Sequence, residues 1–305
     1  MRDAEHQLAR SFEDNRPRLL RLAYTMTGSL VDAEDCVQEA WLRLRGVEDP
    51  AGIRDLTAWL TTTVSRLALD ALGSARARRE RYVGTWLPEP LVESGVQDPA
   101  DRITLDESVS MALLVVLERL SPAERTAFVL HDVFSVPFPE IADLVGRTPA
   151  AVRQLASRGR RRVQDEGPQA PATEAEQREL VHAFTAACQD GDLPGLIALL
   201  DPNVVLRGDG GGKVATLEHE VRDATRIAPM MLARAKAVGP MEFVPATVNG
   251  ALGLVIRGGD PDPSRSAVRA SDGLSVLAFT VDNGLITAID VVRNPDKLAA
   301  VPPLG

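Results

Sequence analysis

At 305 residues the chain exceeds what one ordinary core supports, so two or three domains are expected. An apolar fraction of 45% and a charged fraction of 25% are those of a folded globular protein, and no run approaches the roughly 18 apolar residues of a membrane span. The net charge of −9 argues against tight non-specific binding to nucleic acid, but the sum hides its distribution. Residues 1–166 hold 22 Arg against 26 acids, with Arg76, Arg78, Arg79 and Arg81 in one cluster and Arg153, Arg158, Arg160, Arg161 and Arg162 in another. A local basic stripe, not the total, sets the field that a phosphate meets. Cys36 and Cys188 lie far apart and the four histidines do not gather near them, so neither a disulfide framework nor a metal site is expected. With no apolar signal segment at the N-terminus, a reducing cytoplasm is the expected compartment.

In chain order, residues 1–83 read as a helical domain. Leu19, Leu22, Ala23 and Met26 mark one apolar helix face. Gly28-Ser29 breaks that helix, and Asp32 is expected to cap a second carrying Val37, Ala40, Trp41 and Leu44 inward. A loop at 48–52 leads to a third helix from about Thr57 to Arg79, buried along Leu60, Val64, Leu67 and Leu72. Residues 84–103, with Pro88, Pro90 and Pro99, cannot be helical and form an extended connector. Trp86, Leu87 and Leu91 make that connector too apolar for an idle linker.

Helices resume over 104–166. Ser121-Pro122-Ala123-Glu124 is a capping box with Pro at the first helical position. A short helix from Pro139 to Val145 ends at Gly146, and Thr148 caps a last helix running through the Arg cluster. Short helix, Gly-containing turn and capped basic helix make a helix-turn-helix. Past a second linker at 167–173, a domain at 174–300 is expected. Its helices fall at 174–190, 193–200 and 221–237, with strands at 204–206, 242–248, 252–257, 274–281 and 285–292. Asn249-Gly250 and Asn283-Gly284 signal hairpins, so this domain is α+β.

On the basic helix, Arg153, Gln154, Ser157 and Arg158 share an exposed stretch near its start, suited to base edges, while Arg160, Arg161 and Arg162 suit phosphates. The third helix offers Trp59, Thr62, Arg66, Arg78 and Arg79 to an unpaired strand. The second carries an acidic face at Asp32, Glu34, Asp35 and Glu39.

Taken together, these segments resemble a known family. Residues 32–42, DAEDCVQEAWL, look like the segment with which extracytoplasmic-function sigma factors of the sigma-70 family grip RNA polymerase. Residues 58–81 resemble their promoter-melting, −10-reading helix, and 120–125 with 152–158 their −35-reading domain. Three further motifs, Tyr82 to Leu91 (YVGTWLPEPL), Asp209 to Lys213 (DGGGK) and Asn294 to Leu298 (NPDKL), are similar to SigJ-type sigma factors with a fused SnoaL-like domain. Residues 220–223, EVRD, depart from the Pro- and Gly-containing entry expected before that domain's middle helix.

The resemblance implies two all-α sigma domains, a helical bundle and a helix-turn-helix, plus an α+β SnoaL-like cone with a curved antiparallel sheet. It implies that Asp35, Gln38, Glu39, Trp41 and Leu42 dock on core RNA polymerase, whose clamp and flap receive the protein. Promoter DNA is the other partner, read as −35 duplex and −10 single strand. Trp86, Leu87, Pro88, Glu89 and Pro90 are expected to meet Asp209, Gly210, Gly211, Gly212 and Lys213 together with Asn294, Pro295, Asp296, Lys297 and Leu298. That contact would regulate in cis, without a separate anti-sigma factor. No cofactor is implied. A Gly-rich phosphate cradle is rejected because Val214-Ala215-Thr216-Leu217, not a helix, follows Gly212. Two rival readings remain: a ligand-responsive helix-turn-helix regulator, and a SnoaL-like enzyme using Asp209, His219 or Asp290 as acid or base.

Overall fold

The computed structural model describes residues 2–79, 82–93, 109–168, 172–238, 241–258 and 273–302. They fall into two compact units. One holds residues 2–79 and 116–166; the other holds 82–93, 109–115 and the described residues from 167 onward. Among the described residues no helix is long and apolar enough to cross a membrane.

The first unit opens with three helices, α1 (Arg2–Thr27), α2 (Leu30–Arg45) and α3 (Leu56–Arg79). Leu19, Leu22, Ala23 and Met26 of α1 are buried, as are Val37, Ala40 and Leu44 of α2 and Leu60, Val64 and Leu72 of α3. Leu67 and Trp41 are half-buried. The cap of α2 is Ser29, whose side chain accepts from the Asp32 backbone N–H at 3.3 Å. Asp32 instead sits in the first turn, where an acid suits the helix dipole without capping. The same unit continues through α4 (Met111–Leu117, begun in the other unit), α5 (Pro122–Phe128), α6 (Phe138–Val145) and α7 (Pro149–Glu166). The Ser121–Glu124 capping box forms, and Thr148 accepts from the Ala151 N–H at 3.2 Å. A π-helical turn at Val129–Val133 separates α5 from α6.

Contacts between α1 and this second helical group are polar as well as apolar. Arg125, 2% exposed, pairs with Glu118 at 2.7 Å and donates from Nη2 to the Thr25 carbonyl at 3.1 Å. Arg21 lies over the Phe134 ring at 5.1 Å. A fully buried guanidinium is tolerated because a carboxylate and a helix-end carbonyl share its donors.

The second unit is a seven-stranded sheet with helices on one face. Its strands run β1 (Val92–Glu93), β2 (Leu200–Asp209), β3 (Val221–Arg222), β4 (Met241–Val248), β5 (Ala251–Gly258), β6 (Leu274–Asp282) and β7 (Leu285–Val292), in the order β1-β4-β5-β6-β7-β2-β3. The central strands are a meander whose turns, Asn249-Gly250 and Asn283-Gly284, take positive φ at both residues, the primed-turn geometry that matches strand twist. The sheet is antiparallel except where β2 joins β7 in parallel, Leu206 opposite Ile289. β2 thus lies between β7 and the short edge strand β3, and α10 (Ala224–Val238) follows β3 in the chain. Helices α8 (Glu174–Asp190), α9 (Leu193–Leu199) and α10 bury Phe184, Leu196, Ile227 and Leu232 against Leu206, Leu254, Leu277 and Ile289. The middle helix starts at Ala224, three residues later than expected, because Val221 and Arg222 pair with β2 as an edge strand. On the opposite sheet face, Val248, Val255, Val276, Ala278 and Val292 pack with Leu87, Val92, Met111 and Leu298. The connector is thus part of this unit's core, and Val92 pairs with Val248 as a short strand.

Candidate functional sites

On α2, residues Val31, Glu34, Asp35, Gln38 and Leu42 are exposed, with Val31 and Leu42 at 58% and 52%. Their spacing places them along one helix stripe. Glu39 is half-exposed and bonds to Arg43 one turn on, at 3.0 Å. Trp41 is half-buried against Phe12, ring centroids 4.9 Å apart, so it supports the stripe from beside it. The face pairs acids with unpaired apolar area, a composition suited to a basic, partly apolar protein surface.

Along α3, Arg66 is exposed while Trp59 and Thr62 are half-buried. Two neighbouring hydroxyls are spent locally: Thr61 donates to the Thr57 carbonyl and accepts from Arg18, and Thr63 donates to the Trp59 carbonyl. Arg78 and Arg79 lie in the last turn, but their side chains, with Arg81, fall outside the described residues.

Helix α7 presents Arg153, Gln154, Ser157, Arg158 and Arg161 to solvent, while Val152, Leu155 and Ala156 are buried. Arg158 pairs with Glu124 at 2.8 Å, Arg160 hydrogen-bonds to Asp132 at 2.8 Å, and Arg153 sits 5.5 Å over the Phe138 ring. These partners hold the cationic side chains on the outer face of a helix fixed by its apolar side. Gly159 faces inward, where a Cβ would come within 2.9 Å of Phe128 Cβ. The Gly thus sets the close approach of α7 to α5.

The densest polar site lies where the connector meets the end of β2. Asp209 is fully buried, and both carboxylate oxygens are engaged. One accepts from Tyr82 Oη and from the Gly211 N–H at 3.1 Å. The other accepts from the Leu87 N–H at 2.9 Å and from Lys297 Nζ at 2.7 Å. Lys297 also donates to the Leu87 carbonyl and lies 3.2 Å over the Trp86 ring. Asn294 donates to Tyr82 Oη at 2.8 Å, and Trp86 meets Tyr82 edge-on. Burial, then the hydrogen bond to the Asp209 carboxylate, pushes the Tyr82 phenol well above its ordinary pKa. Gly211 and Gly212 take φ of 66° and 68°, and a Cβ on Gly211 would lie 2.5 Å from the Asn294 amide. The Gly run therefore lets the loop turn back under the Asn294 side chain.

Thus Asp209 and Lys297 meet Leu87, Lys297 meets Trp86, Asn294 meets Tyr82, Leu298 packs in one cluster with Leu87, and the connector residues Leu87 to Pro90 are buried. The two charges flanking the Gly run go to different partners: Asp209 pairs with Lys297, and Lys213 reaches Asp296 at 2.6 Å on the surface. The loop turns through two residues of positive φ, so its flanking charges diverge. Two anchors escaped sequence reasoning. Asn249, read for its turn propensity alone, accepts from Leu91 N at 3.2 Å and its own N–H donates to the Leu91 carbonyl at 2.9 Å. Tyr82 stood in a quoted motif but carried no role until Asp209 was placed beside it.

A cavity of about 350 Å³ lies between the sheet and the helices of the second unit. Its walls include Phe184, Leu206, Met230, Met231, Phe243 and Leu277, with Arg234 and Arg293 as cationic members. Asp209, His219 and Asp290 do not line it. Asp290 is buried on the other sheet face, paired with Arg207 at 2.9 Å, and His219 is exposed.

Comparison with known proteins accounts for both units. Residues 11–78 match the model of Sigma-70 region 2, and residues 110–163 that of Sigma-70, region 4. The chain is 42% identical over 300 residues to the ECF RNA polymerase sigma factor SigJ of Mycobacterium tuberculosis (strain H37Rv), covering 95% of this chain and 93% of that protein. It is 39% identical over 287 residues to a probable ECF sigma factor, SigI, of the same organism, covering 93% and 92%. The crystal structure of M. tuberculosis SigJ superposes with a TM-score of 0.79 at 39% identity, covering 97% of this chain and all of that one. The chain belongs to the extracytoplasmic-function RNA polymerase sigma factors of the sigma-70 family, in their SigJ type. It binds core RNA polymerase and directs it to promoter DNA to begin transcription.

Proposed function

We propose that the SnoaL-like unit regulates this sigma factor in cis by holding the connector between its two DNA-reading domains. One observation carries the reading. The region 2 match ends at residue 78, and by residue 82 the chain is already bound to Asp209. Residues 109–115 also belong to the SnoaL-like unit, and the region 4 helices continue directly from them. The chain thus enters the SnoaL-like unit within four residues of the region 2 match and leaves it into the region 4 helices, a tether of the kind otherwise supplied by a separate anti-sigma factor. In this reading the exposed stripe of α2, with Asp35, Gln38 and Leu42 and flanked by Glu39 and Trp41, docks on basic polymerase surface. Trp59, Thr62, Arg66 and the end of α3 meet the −10 strand, and Arg153, Gln154, Ser157, Arg158 and Arg161 meet the −35 duplex. The protein acts beside the polymerase in the bacterial cytoplasm. Among the described residues no carboxylate or histidine lines the cavity; its walls carry the buried thiol of Cys188 and the cationic Arg234 and Arg293.

The test is reconstituted transcription with core polymerase. Full-length protein is compared with Asp209→Asn, with Lys297→Gln and with a chain ending near residue 167. The restrained state predicts more transcript from each variant than from the full chain. Equal transcript, with the connector shown by limited proteolysis to be released, contradicts it. Reversing charge with Asp35→Lys and Glu39→Lys is expected to weaken core-polymerase binding by at least about tenfold while the helical fold persists.

A further inference from the structure

The cavity has properties that the cis-regulatory reading does not use. It is about 350 Å³, near the small end of the ~300–1,000 Å³ range of small-molecule sites, and holds a ligand of roughly a dozen non-hydrogen atoms at about 30 Å³ each. Its body is apolar, with Phe184, Leu206, Phe243, Ile256 and Leu277, and adaptable because Met230, Met231 and Met241 also line it. Its charges have one sign: Arg234 and Arg293 line it, and no Asp or Glu does among the described residues. Arg234 is exposed and Arg293 half-exposed, which puts the positive end at the mouth, where an ionic head stays hydrated.

The cavity wall is also continuous with the connector anchor. Gly208, in the wall, is bonded in sequence to Asp209, and Arg293, in the wall, to Asn294. The N–H groups of Arg293 and Asn294 both donate to the Asp209 carbonyl, at 2.7 and 3.0 Å. Arg293 meanwhile donates from Nη1 to the Ala215 carbonyl, a neutral acceptor that an anionic one outcompetes.

We infer that this cavity binds an amphiphilic monoanion, an apolar chain of about ten carbons ending in a carboxylate, and that occupancy acts on the connector anchor through Arg293. The consequence for transcription rests on the cis-regulatory reading; the binding does not. A ligand head on Arg293 draws the guanidinium from Ala215, and the backbone pair at 293–294 transmits the shift to Asp209 and so to the Leu87 N–H that Asp209 holds.

Decanoate, decan-1-ol and decyltrimethylammonium, titrated calorimetrically into the full chain below their micellar concentrations, separate charge from chain. Decanoate is expected to bind at least about tenfold tighter than either, the difference one charge-assisted pair makes. Arg293→Gln loses that preference, Arg293→Lys keeps it, and Ala235→Phe, which narrows the cavity, abolishes binding of all three. Equal binding of acid and alcohol, unchanged binding in Ala235→Phe with an unchanged melting temperature, or no binding of decanoate overturns the site. Hydrogen exchange at the Leu87 amide reads the coupling without transcription. It should change on addition of decanoate to the full chain and not to Ala235→Phe; binding with no change at Leu87 overturns the coupling while leaving the cis-regulatory reading to its own test.

Discussion

Asp209 is a carboxylate whose every bond is intramolecular. Replacing it with Asn leaves the Lys297 ammonium, at 7% exposure, against a neutral amide, and removing one partner of a buried pair costs about 3–5 kcal/mol. The Asp209→Asn chain should therefore show a lower unfolding midpoint in urea and faster proteolysis within residues 82–91. Lys213→Ala is the contrasting case, since its pair with Asp296 is more than half exposed on both sides and is worth about 0–1 kcal/mol. Cysteine chemistry gives a second check at this scale. Burial raises the thiols of Cys36 and Cys188 to about 11, with neighbouring acids adding to the effect at Cys36. At pH 8 both should alkylate roughly 100-fold more slowly in the folded chain than in urea, before steric protection is added. Because the folded value lies above the unfolded one, their contribution to stability is complete below pH 9 and declines as pH rises towards 11.

Helix α7 combines a Gly that fixes its seat with an outer face of Arg, Gln and Ser. Gly159→Ala should overpack the contact with Phe128 and destabilise the fold by about 1–3 kcal/mol, read by thermal unfolding. Gln154→Ala should relax discrimination at one −35 base pair by about 1–3 kcal/mol, whereas Arg161→Ala should lower affinity for all sequences and reduce the salt slope by about one. Elements of this kind were readable because their signals are local. Ser121 with Glu124, Thr148 with Pro149, and the two Asn-Gly turns each act within four residues, and all formed where expected. What could not be read depends on long closures. The parallel seat of β2 beside β7 joins residues more than 80 apart, and so does the Asp209–Lys297 pair. Ser29 and Asp32 are both capping types three residues apart, and the helix begins from the earlier one, Ser29. Motif resemblance supplied the connector contact; hydrophobic pattern alone gave no more than an unusually apolar linker.

At the scale of the whole molecule, buried Arg125 joins the two domains that must read one promoter. It reaches from the region 4 match to the Thr25 carbonyl in the region 2 match. Elements numbered −35 and −10 are about 25 base pairs apart, some 80 Å along a duplex that rises about 3.4 Å per pair. Domains of these lengths have radii of gyration of about 10–12 Å, so a touching pair spans about 50–60 Å between its outer faces, short of that distance. The expected outcome is that the Thr25–Arg125 joint opens when both elements are held. Fluorophores placed on α2 and α7 should move apart when core polymerase and promoter bind. Arg125→Met is expected to shorten the lag before they do, and an unchanged lag would leave this guanidinium a residue of the core alone.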